Sequence, residues 1–290
     1  MVWVDGRLLP AQLATISAAD RGFRSGEGIF ETVRVRHGRT FRLDAHLERL
    51  HGAATAMGCG LDPTALPRAV AAVVGANASL GSDLVVRITC SAGPVDLSSP
   101  FPGRGTGTPT VVVTAQRARP ADAPPPPPAS GHLVDLARPL AAWKSTSYLV
   151  EVTAQREAQR HGASDAVLCD PQGRPLEAAR ANLFAVHDTS VVTAPVTAGV
   201  LPGVTRAAVI EVAAELGLAV DERVLRRGEL AAAGEALLTS AVRGIRPLVR
   251  LDGRPIGDGT PGPITRRLHA ALAELVAATS ASLPAADGGA

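Results

Sequence analysis

Residues 118–131 read ARPADAPPPPPASG, and those at 124–128 are consecutive prolines. Proline has no amide hydrogen to donate and its ring fixes φ, so the run fits neither a helix interior nor a central strand. It predicts an extended linker, which divides a chain of 290 residues into two domains of ordinary size. The boundaries drawn from it are 1–118 for an N-terminal α+β domain, 119–131 for the linker, 132–281 for a C-terminal α/β domain and 282–290 for a flexible tail.

Upstream of the prolines, WVDGRLL (3–9) reads as a hairpin turning at Asp5-Gly6. FETVRVRHGRTFRL (30–43) repeats the device around His37-Gly38-Arg39. Asp44 is a candidate N-cap for a helix carrying Leu47, Leu50 and Ala54 on one face, and Asp62-Pro63 opens another through Ala78. The strands LVVRITCS (84–91) and TVVVTAQ (110–116) complete this half. Downstream, a helix near 146–162 leads to strand DAVLC (165–169), the turn DPQGR and strands NLFAV (182–186) and SVVTA (190–194). LPGVTR (201–206) opens a helix to Leu216. Strands at 218–224 and 235–242, a hairpin around Asp252-Gly253 and a helix over 264–279 follow.

Composition excludes several classes. Hydrophobic residues make up 46% and charged residues 19%, with no apolar run of 18 or more, which predicts a globular chain rather than a membrane span or a disordered tail. The start lacks a signal peptide's basic and apolar pattern and the three cysteines are scattered, so the expected compartment is the cytoplasm, with reduced thiols. A net charge of +2, without a basic stripe interleaved with aromatics, excludes nucleic acid as a partner. The histidines and cysteines show no ligand spacing (His46 and His51 are five apart, and there is no CxxC), which predicts no metal. GxGxxG, GxxxxGK[ST] and GxSxG are absent.

Of 29 basic side chains, 28 are arginine and one, Lys144, is lysine. Arginine replaces lysine where only a solvated charge is wanted, but a guanidinium is no nucleophilic amine, so the exception points to amine chemistry such as a Schiff base. Lys144 lies in LAAWKSTSYL (140–149), whose apolar approach would desolvate the amine and favour its neutral form. Tyr148, the sole tyrosine, follows four residues later, where its hydroxyl could reach the same pocket. LPGVTR feeds a helix whose first amides, near Val204 and Thr205, suit a phosphate. Glu177, in RPLEAARANLF, could hold a proton on a pyridine nitrogen. Arg49 lies in HLERL. Arg87 sits among Val85, Val86 and Ile88, which suggests burial on both faces and an anionic partner.

In order and spacing, DRGFRSGEGIFETVR (20–34), HLERL (46–50), KSTSYL (144–149), LEAARANLF (176–184), LPGVTR and LLTSAVRGIRPL (237–248) resemble the class IV aminotransferase family. The resemblance implies a two-domain α+β fold of pyridoxal-phosphate fold type IV, like the D-amino-acid and branched-chain aminotransferases. It implies pyridoxal 5′-phosphate as cofactor, a small-molecule amine substrate and a homodimer. By it, Lys144 is the Schiff-base lysine and proton carrier, Arg49 grips the phosphate and Glu177 pairs with the pyridine nitrogen. Leu201 packs on the ring, and the amides of Val204 and Thr205 complete the phosphate cup with Ser240 and the backbone of Ala241. Tyr148 approaches the ring hydroxyl by analogy, although the register after the lysine differs by a residue. Arg87 and Arg243 are candidates for substrate carboxylates, and Arg180 is unusual where small or hydroxyl residues are commoner.

Within the family, LEAARANLF, Ala241 and the FETVR strand lean toward 4-amino-4-deoxychorismate lyase, which releases 4-aminobenzoate and pyruvate in folate biosynthesis; there Thr32 would assist the elimination. The alternatives are an aminotransferase acting on a D-amino acid or a branched-chain L-amino acid, and a non-catalytic binding descendant of the fold.

Overall fold

The computed structural model describes residues 1–95, 108–119 and 126–285. The chain forms two compact units: unit 1 is Met1–Ala123, Trp143–Ser147 and Thr279–Ala290, and unit 2 is Pro124–Ala142 and Tyr148–Ala278.

Unit 1 contains β1 (Val2–Val4), β2 (Arg7–Leu9), α1 (Arg21–Ser25), β3 (Gly28–Arg36), β4 (Arg39–Thr40), α2 (Leu43–Ala56), α3 (Leu66–Ala76), β5 (Asp83–Ser91) and β6 (Thr110–Arg117). With the short strand Ala281–Ser282 these build one sheet, in which β3 lies between β4 and β5 and β5 pairs with β6. β3 and β5 run antiparallel in unbroken register from Gly28↔Ser91 to Arg36↔Asp83. The turns follow from residues that tolerate positive φ: Asp5 and Gly6 stand at 45° and 91°, His37 and Gly38 at 48° and 71°. Val35, Val86 and Ile88 pack with Leu47 and Leu50 of α2 and Leu66, Val70 and Val73 of α3 in the core of this unit.

Unit 2 contains β7 (Ala129–Val134), α4 (Leu149–Arg160), β8 (Asp165–Cys169), β9 (Pro175–Ala178), β10 (Ala181–His187), β11 (Ser190–Thr193), α5 (Val204–Glu215), β12 (Ala219–Glu222), α6 (Arg227–Ala231), β13 (Glu235–Ser240), β14 (Gly244–Leu251), β15 (Arg254–Pro255) and α7, Pro263–Thr279, whose last residue counts with unit 1. The strands form one mixed sheet in the order β12-β11-β10-β13-β14-β7-β8-β9, with β15 on β14 and β9 also meeting β10. Val167, Leu183, Ala185, Leu238 and Leu248 form its core.

Several expectations are corrected. Trp143–Ser147 belongs with unit 1, because its backbone pairs with β3: Phe30 N donates to Lys144 O at 2.8 Å and Thr146 N to Gly28 O at 2.8 Å. Of the expected linker, residues 120–125 lie outside the described residues, and Ala129 already begins β7. Of the flexible tail expected over 282–290, Ser282 instead pairs with Arg39 and Leu283 N donates to Gly38 O; residues 286–290 lie outside the described residues. Asp44 falls in the first turn of α2, whose N-cap is Arg42 at φ 51°. Asp62 caps Thr64 rather than the helix that begins at Leu66.

Candidate active site

In unit 1 the site is built on β3. The backbone pairing above ties the Lys144 carbonyl to Phe30 N, and the hydroxyls of Ser145 and Ser147 donate to Gly28 O (3.3 Å) and Gly26 O (2.9 Å). Gly28 allows this approach: a Cβ there would lie 2.6 Å from Thr146 Oγ1. Lys144 Nζ lies 4.9 Å from the Phe30 ring centroid, and Arg87 Cζ lies 3.5 Å from the same centroid. Strand alternation puts Thr32 on the Phe30 face, and Thr32 stands in register with Arg87. Lys144, Thr32 and Arg87 therefore share one environment.

Arg87 is not buried as its neighbours suggested. It is exposed, because Val86 and Ile88 point to the opposite face, toward the core.

That opposite face carries Glu31, only 1% exposed. Arg49 donates to it twice, Nε to Oε1 at 2.7 Å and Nη2 to Oε2 at 2.8 Å, and His46 Nδ1 lies 2.7 Å from Oε2. Burial alone would raise the Glu31 pKa, but the hydrogen bonds and charges of His46 and Arg49 outweigh it and hold the carboxyl at about 2. Arg49, expected at the phosphate, is thus oriented by Glu31. The group was not legible in the sequence, since Glu31 stands on β3 while His46 and Arg49 stand on α2.

In unit 2 the centre is Glu177 on β9, 4% exposed. Arg138 Nη2 lies 2.5 Å from Oε1, while Oε2 accepts from Leu201 N at 3.1 Å and from Asn182 Nδ2 at 3.4 Å. Asn182 Nδ2 also donates to Leu201 O at 2.8 Å, so both backbone groups of Leu201 are tied to this cluster. Arg138 also donates to Ala141 O at 2.7 Å and lies 3.5 Å from Glu151. Sequence reasoning missed Arg138, one arginine among many. Asn182 carried a signal, a polar side chain opening the apolar strand NLFAV.

Leu201 leads into α5. Its N-cap is Gly203, with no side-chain cap and no acidic residue in the first turn, so the first amides of Val204 and Thr205 meet no competing anion from their own turn. A Cβ on Gly203 would collide with Asn182 Oδ1. Thr239, in register with Asn182, keeps a buried hydroxyl with no hydrogen-bond partner among the described residues. Ser240 Oγ accepts from Arg243 N at 3.4 Å, and Ala241 offers only backbone. Arg243 is exposed; partial burial and the like charges of Arg180 and Arg246 lower its guanidinium below the ordinary value. Tyr148 is the N-cap residue of α4, and its hydroxyl donates to Ala179 O at 3.3 Å.

Each unit by itself carries groups that suit a part of pyridoxal phosphate: unit 1 an amine on a segment paired to β3, and unit 2 a buried carboxylate whose charge is balanced by Arg138 and a helix start without a side-chain cap, which suits an oxyanion. Among the described residues no helix is long and apolar enough to cross a membrane.

The profile of the family "amino-transferase class IV" matches residues 28–251. The chain is similar to D-alanine aminotransferase of Bacillus licheniformis, 28% identical over 93% of this chain and 95% of that one. It is similar in structure to the branched-chain amino acid aminotransferase of Escherichia coli, with a TM-score of 0.86, 27% identity and coverage of 94% and 93%. A second similar structure is the branched-chain amino acid aminotransferase of Thermobaculum terrenum in its PLP-bound holo form, with a TM-score of 0.83, 25% identity and coverage of 95% and 93%.

Proposed function

The chain belongs to the class IV aminotransferase family and is a pyridoxal-phosphate-dependent enzyme, and we propose that it moves an amino group from an amino acid to a 2-oxo acid. A D-amino acid or a branched-chain L-amino acid is the proposed donor. The observation that carries this reading is Lys144, the sole lysine, whose carbonyl accepts from Phe30 N of β3. The family's enzymes leave no place for the non-catalytic alternative.

The cofactor supplies an electron-accepting ring that stabilises the charge left when an α-proton is removed. Lys144 would hold the cofactor through Nζ, and its amine would carry the α-proton. Glu177, its charge balanced by Arg138 and its position fixed by Leu201 N and Asn182, would hold the proton on the pyridine nitrogen. Leu201 would pack on the ring, Tyr148 would approach the ring hydroxyl, and Arg49, the amides of Val204 and Thr205, Ser240 and the backbone of Ala241 would hold the phosphate. Arg87, exposed beside the Phe30 ring, is proposed to meet a substrate carboxylate, with Arg243 as the second candidate. The working form is proposed to be a homodimer in the cytoplasm.

The lyase is the competing reading, and the observation that favours it is Thr32 on the Lys144 face of β3. The relatives named above are aminotransferases, which puts transamination first. The test is to load the purified enzyme with pyridoxal phosphate and supply D-alanine, L-leucine, L-glutamate and aminodeoxychorismate in turn. Formation of a new amino acid from 2-oxoglutarate or pyruvate is expected. Consumption of aminodeoxychorismate alone, with release of pyruvate, would overturn transamination in favour of the lyase.

A further inference from the structure

In unit 2, away from the residues assigned above, His132 of β7 meets Glu157 of α4 and His161, the residue capping that helix. One donor atom from each of the three lies within 4.8 Å of the others. The imidazoles of His132 and His161 stack with centroids 4.0 Å apart and planes 15° from parallel. Sequence spacing gave no metal pattern because His132 is remote from the helical pair, and only the packing of α4 on β7 brings them together.

The surroundings engage the same atom of both rings. His132 Nδ1 lies 2.7 Å from Asp252 Oδ1, and His161 Nδ1 lies 3.1 Å from the carbonyl of Glu157. Each contact makes Nδ1 the donor, so Nε2 is the ring nitrogen left to serve as a ligand. Among the described residues neither Nε2 has a hydrogen bond. Asp252 stands to His132 as the carboxylate behind a metal-bound histidine does. Glu157 and His161, four residues apart on a helix, present a second and third donor on one face. Arg160 lies 3.0 Å from Glu157, with a side chain that is 73% exposed and holds it weakly.

We propose that His132, Glu157 and His161 bind a divalent transition-metal ion of the zinc class, linking β7 to α4. Two imidazole nitrogens and one carboxylate oxygen suit zinc and not magnesium, which takes oxygen donors. Bonds of about 2.0–2.1 Å require the donors to close up from their present spacing, which the exposed His161 and Glu157 allow by side-chain rotation. The proposal owes nothing to the catalytic reading.

The test uses enzyme loaded with pyridoxal phosphate, stripped with a chelator and titrated calorimetrically with zinc chloride. One zinc ion per chain with a dissociation constant on the order of micromolar is expected. His161→Ala and His132→Gln are each expected to weaken it at least about tenfold. Saturating zinc is expected to raise the melting temperature of the parent protein by about 2–4 °C and leave His161→Ala unmoved. Because His161 is exposed, His161→Ala is expected to keep the parent's melting temperature without metal. No zinc binding up to about 100 μM, or equal binding by the parent and His161→Ala, would overturn the proposal; the latter would send the metal to another group, such as the thiols.

Discussion

Two buried glutamates, one in each unit, show how the same side chain is put to different ends. Glu31 is enclosed by two side-chain partners, with both its oxygens taken by Arg49 and one also by His46. Glu177 has an arginine on one oxygen only; its other oxygen holds the backbone of Leu201, two residues before the N-cap of α5. Glu31 therefore joins a strand to a helix and aims an arginine. Glu177 sets the loop that leads to the helix start, and its carboxylate remains the group proposed to face the cofactor's ring nitrogen. The lesson is that burial of a carboxylate does not mark it as chemical: what its second oxygen is tied to separates a brace from a working acid.

The sharpest way to break this comparison is through activity. Glu177→Gln is expected to lower kcat for amino transfer by about 10²-fold or more, with circular dichroism and melting temperature close to the parent's, because glutamine keeps the shape and loses the charge that holds the ring proton. Parent-like turnover would reduce Glu177 to a second brace.

Glu31 is expected to show its effect in stability. Its folded pKa of about 2 lies below its ordinary 4.5, so its contribution is fully present above about 4.5 and is lost as the pH falls toward 2. Glu31→Gln is expected to cost about 3 kcal/mol in urea unfolding at pH 7, and the gap from the parent is expected to narrow below pH 4. A pH-independent gap would contradict the ion-pair account.

Arg138→Met tests the partner of Glu177. It is expected to weaken pyridoxal-phosphate binding about tenfold in an absorbance titration, since it leaves a buried carboxylate without its counter-charge. The smallest effect is expected at Thr32: Thr32→Val is predicted to change amino transfer by less than about threefold, as a β-branched replacement on a strand. A loss of two orders of magnitude with aminodeoxychorismate alone would revive the lyase.

What the sequence made legible was local. The Asp5-Gly6, His37-Gly38 and Asp252-Gly253 turns carry their own backbone chemistry and all three adopt positive φ. Lys144 stood out because nothing else in the chain is an amine of its kind. What escaped was set by distant pairing. The return of Trp143–Ser147 to unit 1 depends on β3, more than a hundred residues earlier. The Glu31–His46–Arg49 group joins a strand to a helix, and Arg138 reaches Glu177 across 39 positions. Arg87 was misread because a run of apolar neighbours hides strand alternation: Val86 and Ile88 are buried on the face that Arg87 does not share.

The central claim is that Lys144 is the amine through which this enzyme holds its cofactor. Borohydride reduction of the pyridoxal-phosphate-loaded protein makes such a link permanent, and peptide mass spectrometry locates it. The account predicts a phosphopyridoxyl group on the peptide containing Lys144, and neither that label nor amino transfer in Lys144→Ala. An unlabelled Lys144 in protein that still transfers amino groups would contradict it.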